Sequence, residues 1–322
     1  MIMDKRPGRR RLLKLMAAFA GLPLLPGKGL ASGSPVVWHG QALGAPTTLV
    51  LNHENPTEAK RLLRGVVAEV ARLEGIFSLF RPGSALNELN RAGALAAPPS
   101  EMVEVLELCR TFHRLGDGCF DPTIQPLWLL HARHFSVEDA DPAGPSAVEL
   151  KKALSLVGFE RVHFDANRVA LGQRGMALTL NGIAQGYITD RIVALLRDAG
   201  VTSSLVDMGE NRAIGANAQG APWRVGLAQS EDAAYPDTVL EITDRAVATS
   251  AGAGFQFDPA GNFRHILDPR TGLSARRYSR VSVVAEDAAT ADALSTAFSL
   301  TDKADVETQR ASLRNVEVYL RA

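Results

Sequence analysis

The sequence predicts an α+β fold. Apolar periodicities typical of helices and of strands are mixed along the 322-residue chain without a strict strand–helix–strand alternation. That order favours segregated helices and sheets over a doubly wound parallel sheet. No repeat of fixed period and no proline- or serine-rich linker divides residues 34–322. We therefore expect this region to form one domain.

The first predicted elements are a strand over residues 47–52 and a helix that Asn55 and Pro56 open. We expect residues 77–90 to form a loop, followed by a second helix from Ser100 to about Gly116. The apolar stripe of the first helix repeats at helical spacing. It comprises Leu62, Leu63, Val66, Val67, Val70 and Leu73.

Helix-capping and turn residues predict the elements in the middle of the chain. Ser146 and Glu149 form a capping-box pattern, which predicts a helix that runs to Gly158. Residues 162–164 and 168–171 flank a polar turn and predict a hairpin. Residues 179–200 are typical of a strand end, a glycine-bearing turn and a helix closed by Gly200.

The C-terminal third is predicted to be rich in strands. Short β-type runs occupy residues 203–228 and 238–249, and residues 280–285 form another. A helix follows over residues 288–300, and the last strand covers residues 316–320.

The N-terminal residues 1–31 are typical of a signal peptide. They contain seven basic residues and one acidic residue, an apolar run over residues 15–25 and a small-x-small site at 29–31. The run is too short to span a bilayer stably. The Arg9-Arg10-Arg11 segment predicts a twin-arginine signal and a periplasmic protein. A general secretion signal with a chance arginine run is the alternative. No cysteine follows the run, so we expect no lipid anchor.

The composition argues against nucleic-acid binding. Aromatic residues make up 6% of the chain, which is too few for a stacking platform. Without residues 1–31 the chain carries 28 basic and 34 acidic residues, so it has no electrostatic reason to bind DNA or anionic lipid. We also expect that it is not integral to a membrane. Cys109 and Cys119 are predicted to be buried thiols, with a single disulfide as the alternative.

Asp292 and Thr296 are candidate ligands of a hard cation. They stand at positions i and i+4 of a predicted helix, so their oxygens share a face. Mg²⁺ commonly takes one or two protein carboxylates and leaves positions for phosphate and water. The alternative is structural, because an aspartate near a helix start is favourable in itself and Thr296 could face the core.

Two turns are further candidates. Residues 181–186 (NGIAQG) enter a helix, whose free N–H groups attract phosphate, although a tight connection would have the same pattern. Residues 265–272 (HILDPRTG) offer His265 as a base that Asp268 could orient. Equally, Asp268 could cap its own turn. Residues 118–123 (GCFDPT) form a similar polar turn with the same ambiguity.

Seven motifs in this order resemble the ApbE family of FAD:protein FMN transferases, over residues 43–300. They are FSLFRPGSALNELN (77–90), GDGCFDPTIQPL (116–127), LNGIAQGYITD (180–190), VDMGENRAIG (206–215), TSAG (249–252), HILDPRTG (265–272) and VSVVAEDAATADALSTA (281–297). The resemblance implies a T-fold-like domain of mixed or antiparallel sheets flanked by helices. The VDMGENRA phrase and the export signal resemble the NosX branch, which serves nitrous oxide respiration.

The family's chemistry, carried over, makes FAD the substrate and Mg²⁺ the metal. A Ser or Thr hydroxyl of a membrane-associated or periplasmic redox protein attacks FAD, AMP leaves, and FMN remains attached through a phosphoester bond. Asp292 and Thr296 match metal-binding side chains, and Gly182 matches a carbonyl ligand. His265 is the expected base. The positions that match flavin-nucleotide contacts are Leu43, Phe80, Cys119, Phe120, Asp121, Thr179, Gln185 and Ile266.

Several positions depart from the family's usual pattern. Thr179 replaces an Asp, and the neutral Gln185 replaces a Lys or Glu. Phe80 replaces a Tyr, Leu43 replaces a Met, and Met208-Gly209-Glu210 replaces Gly-Gly-Asp. These changes leave the metal pair in place and lower hydrogen bonding around the dinucleotide. They keep two alternatives open: an FAD carrier or chaperone without catalysis, and an FAD pyrophosphatase that uses water.

Overall fold

The computed structural model describes residues 22–23, 35–228, 235–252 and 254–322. The predicted signal peptide at residues 1–31 therefore lies outside the described residues, apart from the backbone of residues 22–23. Within the described ranges, no helix is long and apolar enough to cross a membrane.

The described residues form thirteen strands. In chain order they are β1 (Leu22–Pro23), β2 (Val36–Ala42), β3 (Ala45–Leu51), β4 (Ala94–Ala96), β5 (Val162–Phe164), β6 (Arg168–Leu171), β7 (Ser204–Asp207), β8 (Asn211–Ile214), β9 (Trp223–Leu227), β10 (Thr238–Ile242), β11 (Ala246–Ser250), β12 (Arg280–Ala285) and β13 (Glu317–Arg321).

The same ranges form eight α-helices, with short 3₁₀ turns at Pro122–Ile124 and Phe159–Arg161. The helices are α1 (Pro56–Phe77), α2 (Ala85–Ala92), α3 (Ser100–Leu115), α4 (Gln125–His134), α5 (Ala147–Leu154), α6 (Ala184–Asp198), α7 (Ala288–Phe298) and α8 (Lys303–Ala311).

A seven-stranded sheet organises the fold, in the order β13-β12-β11-β8-β7-β3-β2. Every neighbouring pair in it is antiparallel. Two smaller sheets have the orders β1-β9-β10 and β4-β6-β5, and they are also antiparallel. The expected α+β class with helices flanking antiparallel sheets is confirmed.

Both faces of the large sheet are covered, and its side chains alternate between two cores. Leu49 and Leu51 point into the main core with the helices, whereas Val50 between them joins the second core under β9 and β10. Likewise, Val206 joins the main core and its neighbour Leu205 joins the second. This double coverage explains why β7, β11 and β12 are buried at every position.

Helices α6 and α7 lie side by side, and α7 also packs on β11 and β12. The two backbones meet at Gly186, where an added Cβ would lie 2.3 Å from the carbonyl oxygen of Ala288. Only glycine permits this approach. The contact places the start of α6 against the α7 turns that carry Asp292 and Thr296.

Several sequence predictions need correction. Residues 85–92 of the expected loop form helix α2, because the Ser84 hydroxyl accepts from Asn87 N–H and caps a short amphipathic turn. Val67 of the predicted apolar stripe is 42% exposed, so the buried face of α1 is narrower than expected. The helix that starts after Ser146 ends at Leu154 rather than at Gly158. Residues 176–180, directly before the turn at 181–183, do not form the strand end that was expected there.

Other predictions are confirmed. Asn55 caps α1 through its side chain, Ser146 and Glu149 form the complete capping box, and the hairpin of β5 and β6 is present. Cys109 and Cys119 are both free and buried, as the first of the two alternatives predicted.

Candidate active site

One cavity of about 140 Å³ brings together most of the predicted site residues. It lies where the start of α6, one face of α7, the end of β11 and the turns at residues 119–122 and 265–269 converge. The predicted residues in its wall are Cys119, Phe120, Asp121, Thr179, Gly182, Gln185, His265, Ile266, Asp292 and Thr296. Elements far apart in sequence thus form a single site.

The polar end of the cavity contains Asp292 and Thr296. The Asp292 carboxylate is buried, and its Oδ2 accepts a hydrogen bond of 3.1 Å from Gly186 N–H at the start of α6. Thr296 Oγ1 lies 3.4 Å from Ser250 Oγ at the end of β11. The predicted i, i+4 geometry is therefore realised on one wall of the cavity.

Gly182 lies directly against Thr296. An added Cβ at Gly182 would approach Thr296 Oγ1 to 2.9 Å and the Phe120 ring to 3.3 Å. A side chain here would fill the space beside the Thr296 hydroxyl. The backbone of the turn before α6 can approach the carboxylate–hydroxyl pair only because residue 182 is glycine.

The polar end of the cavity holds buried acidic side chains without a neighbouring lysine or arginine in the described wall. Burial raises the pKa of Asp292 to about 8, and burial together with the neighbouring Asp292 and Asp207 raises the pKa of Glu210 well above its usual value. Glu210 Oε2 is buried without a hydrogen-bond partner. Among the described residues that line the cavity, no lysine or arginine offsets these carboxylates.

A hard cation fits this donor set. The Asp292 carboxylate, the Thr296 hydroxyl and the backbone of Gly182 all line the cavity, and oxygen donors of these kinds are the ligands that Mg²⁺ prefers. Within the described ranges, no group of three or more His, Cys, Asp or Glu residues is arranged to hold a metal.

His265 lines the cavity with a defined tautomer. Its Nδ1 lies 3.0 Å from the carbonyl oxygen of Phe255, which can only accept, so Nδ1 carries the proton. Nε2 therefore keeps its lone pair. Burial lowers the pKa of His265 below its usual value, which favours the neutral ring near pH 7. These are the properties that a general base needs.

Asp268 does not orient His265. Its carboxylate is bound by Arg270 Nε and Nη2 and by Arg270 N–H, and these contacts hold the pKa of Asp268 below its usual value. The residue also lies outside the cavity wall. The backbone carbonyl of Phe255 orients His265 instead, and Asp268 stabilises its own turn, as the alternative reading of the HILDPRTG motif predicted.

Asp121 lies in the cavity wall, but the protein already uses both of its oxygens. Oδ1 accepts from Thr123 N–H at 2.7 Å and from the Thr123 hydroxyl, and Oδ2 accepts from Phe159 N–H at 3.0 Å. Asp121 therefore shapes the turn of residues 119–122. The side chains of Cys119 and Phe120 on that turn supply much of the apolar surface beside it.

Leu43 and Phe80 do not line the cavity. Leu43 is fully buried with φ +50°, and its N–H donates to Glu74 Oε1 at 2.8 Å. Phe80 packs against the main core beside α1. The cavity as it stands therefore brings together six of the eight positions predicted to contact the flavin nucleotide.

Five polar or aromatic residues of the wall were not predicted. They are Trp128, Asn181, Glu210, Thr249 and Ser250. Asn181, Glu210, Thr249 and Ser250 lie inside motifs that carried the resemblance. Trp128 had a weaker signal, since a tryptophan in a helix is typical of a core position.

Helix α7 is fixed to its neighbours by Asp190 of α6. The Asp190 carboxylate accepts from the N–H groups of Ala288 at 2.8 Å and Ala289 at 2.9 Å, and it forms an ion pair with Arg212 of β8. Because Gly186 of the same helix donates to Asp292, α6 holds α7 at two successive turns. This arrangement sets where Asp292 and Thr296 stand.

The chain is similar to known proteins along most of its length. A family model described as the ApbE family matches residues 43–320. A protein of Treponema pallidum named FAD:protein FMN transferase is 33% identical over 265 residues, which is 74% of this chain and 71% of that protein. A protein of Chlamydia pneumoniae with the same name is 29% identical, over 77% of this chain and 79% of that protein.

Solved structures extend the likeness to the fold. The ApbE protein of Thermotoga maritima superposes with a TM-score of 0.77 at 28% identity, over 89% of this chain and 94% of that chain. A flavin transferase ApbE of Vibrio cholerae has a TM-score of 0.76 at 23% identity, over 89% and 93% of the two chains. The latter likeness shows a shared fold.

Proposed function

This chain belongs to the ApbE family, and from that membership we propose that it is a transferase that moves FMN from FAD to a hydroxyl of a partner protein. The observation that carries the proposal is the cavity in which Asp292, Thr296 and Gly182 face the same space as His265. The residues proposed to bind a metal and the residue proposed as the base thus border one space.

We propose Mg²⁺ as the metal, held by Asp292, Thr296 and the Gly182 carbonyl. Bound there, it would offset negative charge on the pyrophosphate oxygens of FAD. The lack of lysine and arginine in the described cavity wall supports this role, because no protein cation there neutralises the substrate. The uncompensated burial of Asp292 supports it as well.

The protein groups then account for the transfer. A Ser or Thr hydroxyl of the partner gives its proton to His265 Nε2 as its oxygen attacks the phosphorus on the FMN side of FAD. The new P–O bond forms, the bond from that phosphorus to the bridging oxygen breaks, and AMP leaves with that oxygen. The Phe255 carbonyl keeps the proton on His265 Nδ1, so Nε2 is the nitrogen with a free lone pair.

The finer assignments rest on sequence. We propose that the partner is a membrane-associated or periplasmic redox protein, and that a NosX-like role supports a flavoprotein of nitrous oxide respiration. The VDMGENRA phrase supports the branch. The twin-arginine pattern of residues 9–14 supports export to the periplasm.

One observation favours a second function. Gln185 is buried in the cavity wall, and its Nε2 has no hydrogen-bond partner. A neutral amide at this position weakens electrostatic activation of the phosphate relative to a lysine. It is compatible with an FAD carrier, or with an FAD pyrophosphatase in which water replaces the partner hydroxyl.

A single experiment separates these functions. The purified protein is incubated with FAD, MgCl₂ and a threonine-bearing acceptor domain, and both the acceptor's intact mass and free AMP are measured. Transfer predicts an acceptor heavier by one FMN phosphoryl group and an equal amount of AMP. AMP without labelling would indicate hydrolysis, and FAD binding with neither product would indicate a carrier. The Asp292→Ala variant serves as the inactive control.

A further inference from the structure

The cavity has a second, apolar end that the metal and base do not use. Its wall there is formed by Ile124, Trp128, Leu267, Pro269 and Leu300. Asp292 and Thr296 lie on α7, Ser250 ends β11, and Glu210 lies between β7 and β8. The apolar residues come instead from the 3₁₀ turn at Pro122–Ile124, from α4, from the turn at 265–269 and from the segment after α7. A ligand that fills the whole cavity must therefore carry an apolar portion beside its charged one.

Trp128 is the only large aromatic face at this end among the described lining residues besides Phe120. Its ring is half-buried, with Phe255 stacked at 6.2 Å and Phe257 edge-on at 5.3 Å between ring centroids. These contacts fix the orientation of the indole, and Trp128 lines the cavity whereas Phe255 and Phe257 do not. A preoriented aromatic face loses little conformational freedom when a ligand stacks on it.

The same aromatic group leads to the base. Phe255 contacts the His265 ring edge-to-face at a centroid distance of 6.4 Å, and its carbonyl oxygen accepts from His265 Nδ1. Trp128 is therefore separated from His265 by a single phenyl ring. One substrate could therefore stack a planar ring on Trp128 and present its phosphorus to His265.

We propose that Trp128 is a binding residue for FAD, and that one planar ring of the dinucleotide stacks on its indole. This inference rests on the proposed function for the identity of the ligand. FAD carries two such rings, the isoalloxazine and the adenine, and both share the π-face that stacking needs. Trp128 thereby helps to select a dinucleotide over free pyrophosphate.

The test compares Trp128→Ala with Trp128→Phe. Loss of one stacked ring should weaken FAD binding about tenfold or more in Trp128→Ala, while Trp128→Phe should stay near wild type because it keeps an aromatic face. Phe135→Ala is the matched control. Phe135 belongs to the same aromatic cluster, through Phe263, but does not line the cavity. Affinities are measured by calorimetry with Mg²⁺ present.

Separate titrations with FMN and with AMP identify the ring. If the isoalloxazine stacks, Trp128→Ala should weaken FMN binding and restore the emission of bound flavin that an adjacent indole quenches. If the adenine stacks, the variant should weaken AMP binding and leave flavin emission unchanged. Either result supports the proposal, provided that FAD affinity falls as well.

Wild-type FAD affinity in Trp128→Ala would overturn the inference. An equal loss in Phe135→Ala would also overturn it, since the effect would then come from the cluster rather than from ring contact. These outcomes are independent of the transfer assay. A protein that binds FAD through Trp128 but never labels an acceptor would overturn the proposed function alone.

Discussion

At the scale of single residues, the proposed chemistry depends most on the tautomer of His265. The Phe255 carbonyl fixes the proton on Nδ1, and burial lowers the pKa of the ring. His265→Gln keeps a donor for that carbonyl but removes the basic nitrogen. We expect the rate of FMN transfer to fall about 100-fold or more, with FAD affinity little changed.

The control for this variant is His134→Gln. His134 is bonded to the Asp141 carbonyl and does not line the cavity, so its replacement should leave the transfer rate unchanged. Rates follow from the time course of acceptor mass. Near-wild-type transfer by His265→Gln would exclude His265 as the base.

The pH dependence of the reaction tests the same residue. Protonation of His265 removes the lone pair on Nε2, so activity should be lost as pH falls through its pKa in the folded protein. Bound Mg²⁺ keeps Asp292 ionised, so the profile is measured at saturating Mg²⁺. Because burial lowers the pKa of His265, kcat/KM should then be flat above about pH 6.5 and fall about tenfold per pH unit well below it. An activity loss centred above pH 7 on the acid side would contradict this prediction.

Sequence alone predicted the chemical identity of the site residues better than their roles. Asp292 and Thr296 were accessible to a helical-spacing argument because both stand on α7. Sequence spacing could not decide whether Asp268 orients His265, because side chains three residues apart in a turn can bind different partners. In the structure, Asp268 accepts hydrogen bonds from Arg270, and the His265 ring donates to the Phe255 carbonyl.

At the level of elements, the close contact of α6 with α7 positions the metal ligands. Gly186→Ala would place a Cβ 2.3 Å from the Ala288 carbonyl, and this backbone atom can move only if α7 moves. We expect the free energy of unfolding to fall by about 1–3 kcal/mol and Mg²⁺ affinity to fall with it. Chemical denaturation and calorimetry measure the two effects.

Gly65→Ala in α1 provides the comparison. No atom lies within 4 Å of the added Cβ, so this substitution should raise stability by about 0.5–1 kcal/mol through helix propensity and leave Mg²⁺ binding unchanged. If Gly186→Ala behaved like Gly65→Ala, α7 would not be held in the way described.

The ion pair between Asp190 and Arg212 belongs to the same junction. Asp190 also accepts from two N–H groups at the start of α7, so Asp190→Ala should cost about 1–3 kcal/mol of stability and weaken Mg²⁺ binding. A double-mutant cycle with Arg212→Met should give a coupling energy of about 0.5–3 kcal/mol. Additive effects would show that the two side chains act separately.

Element prediction succeeded where caps and periodicity were strong. Asn55, Ser146 and Glu149 marked helix starts that the structure contains. It failed at α2, because residues 77–90 were expected to form a loop although Ser84 caps a helix that begins at Ala85. It also missed α4, whose start has no side-chain cap, and α8, although Asp302 caps it.

At the scale of the whole molecule, the large sheet with cores on both faces brings the site together. Residues 119–121, 182–185, 265–266 and 292–296 meet in one cavity although they span much of the chain. No local pattern contains this convergence, since it depends on strand order and on how α6 and α7 pack. The class of fold could be predicted from the sequence, whereas the seven-stranded order could not.

The central claim is that a divalent cation held by Asp292, Thr296 and Gly182 fixes the pyrophosphate of FAD. The most direct test is calorimetric FAD binding with and without Mg²⁺ in the wild type and in Asp292→Asn, with the exposed-site variant Glu307→Gln as control. We predict that Mg²⁺ strengthens FAD binding at least about tenfold in the wild type and the control, but not in Asp292→Asn. An equal Mg²⁺ effect in Asp292→Asn would contradict the account.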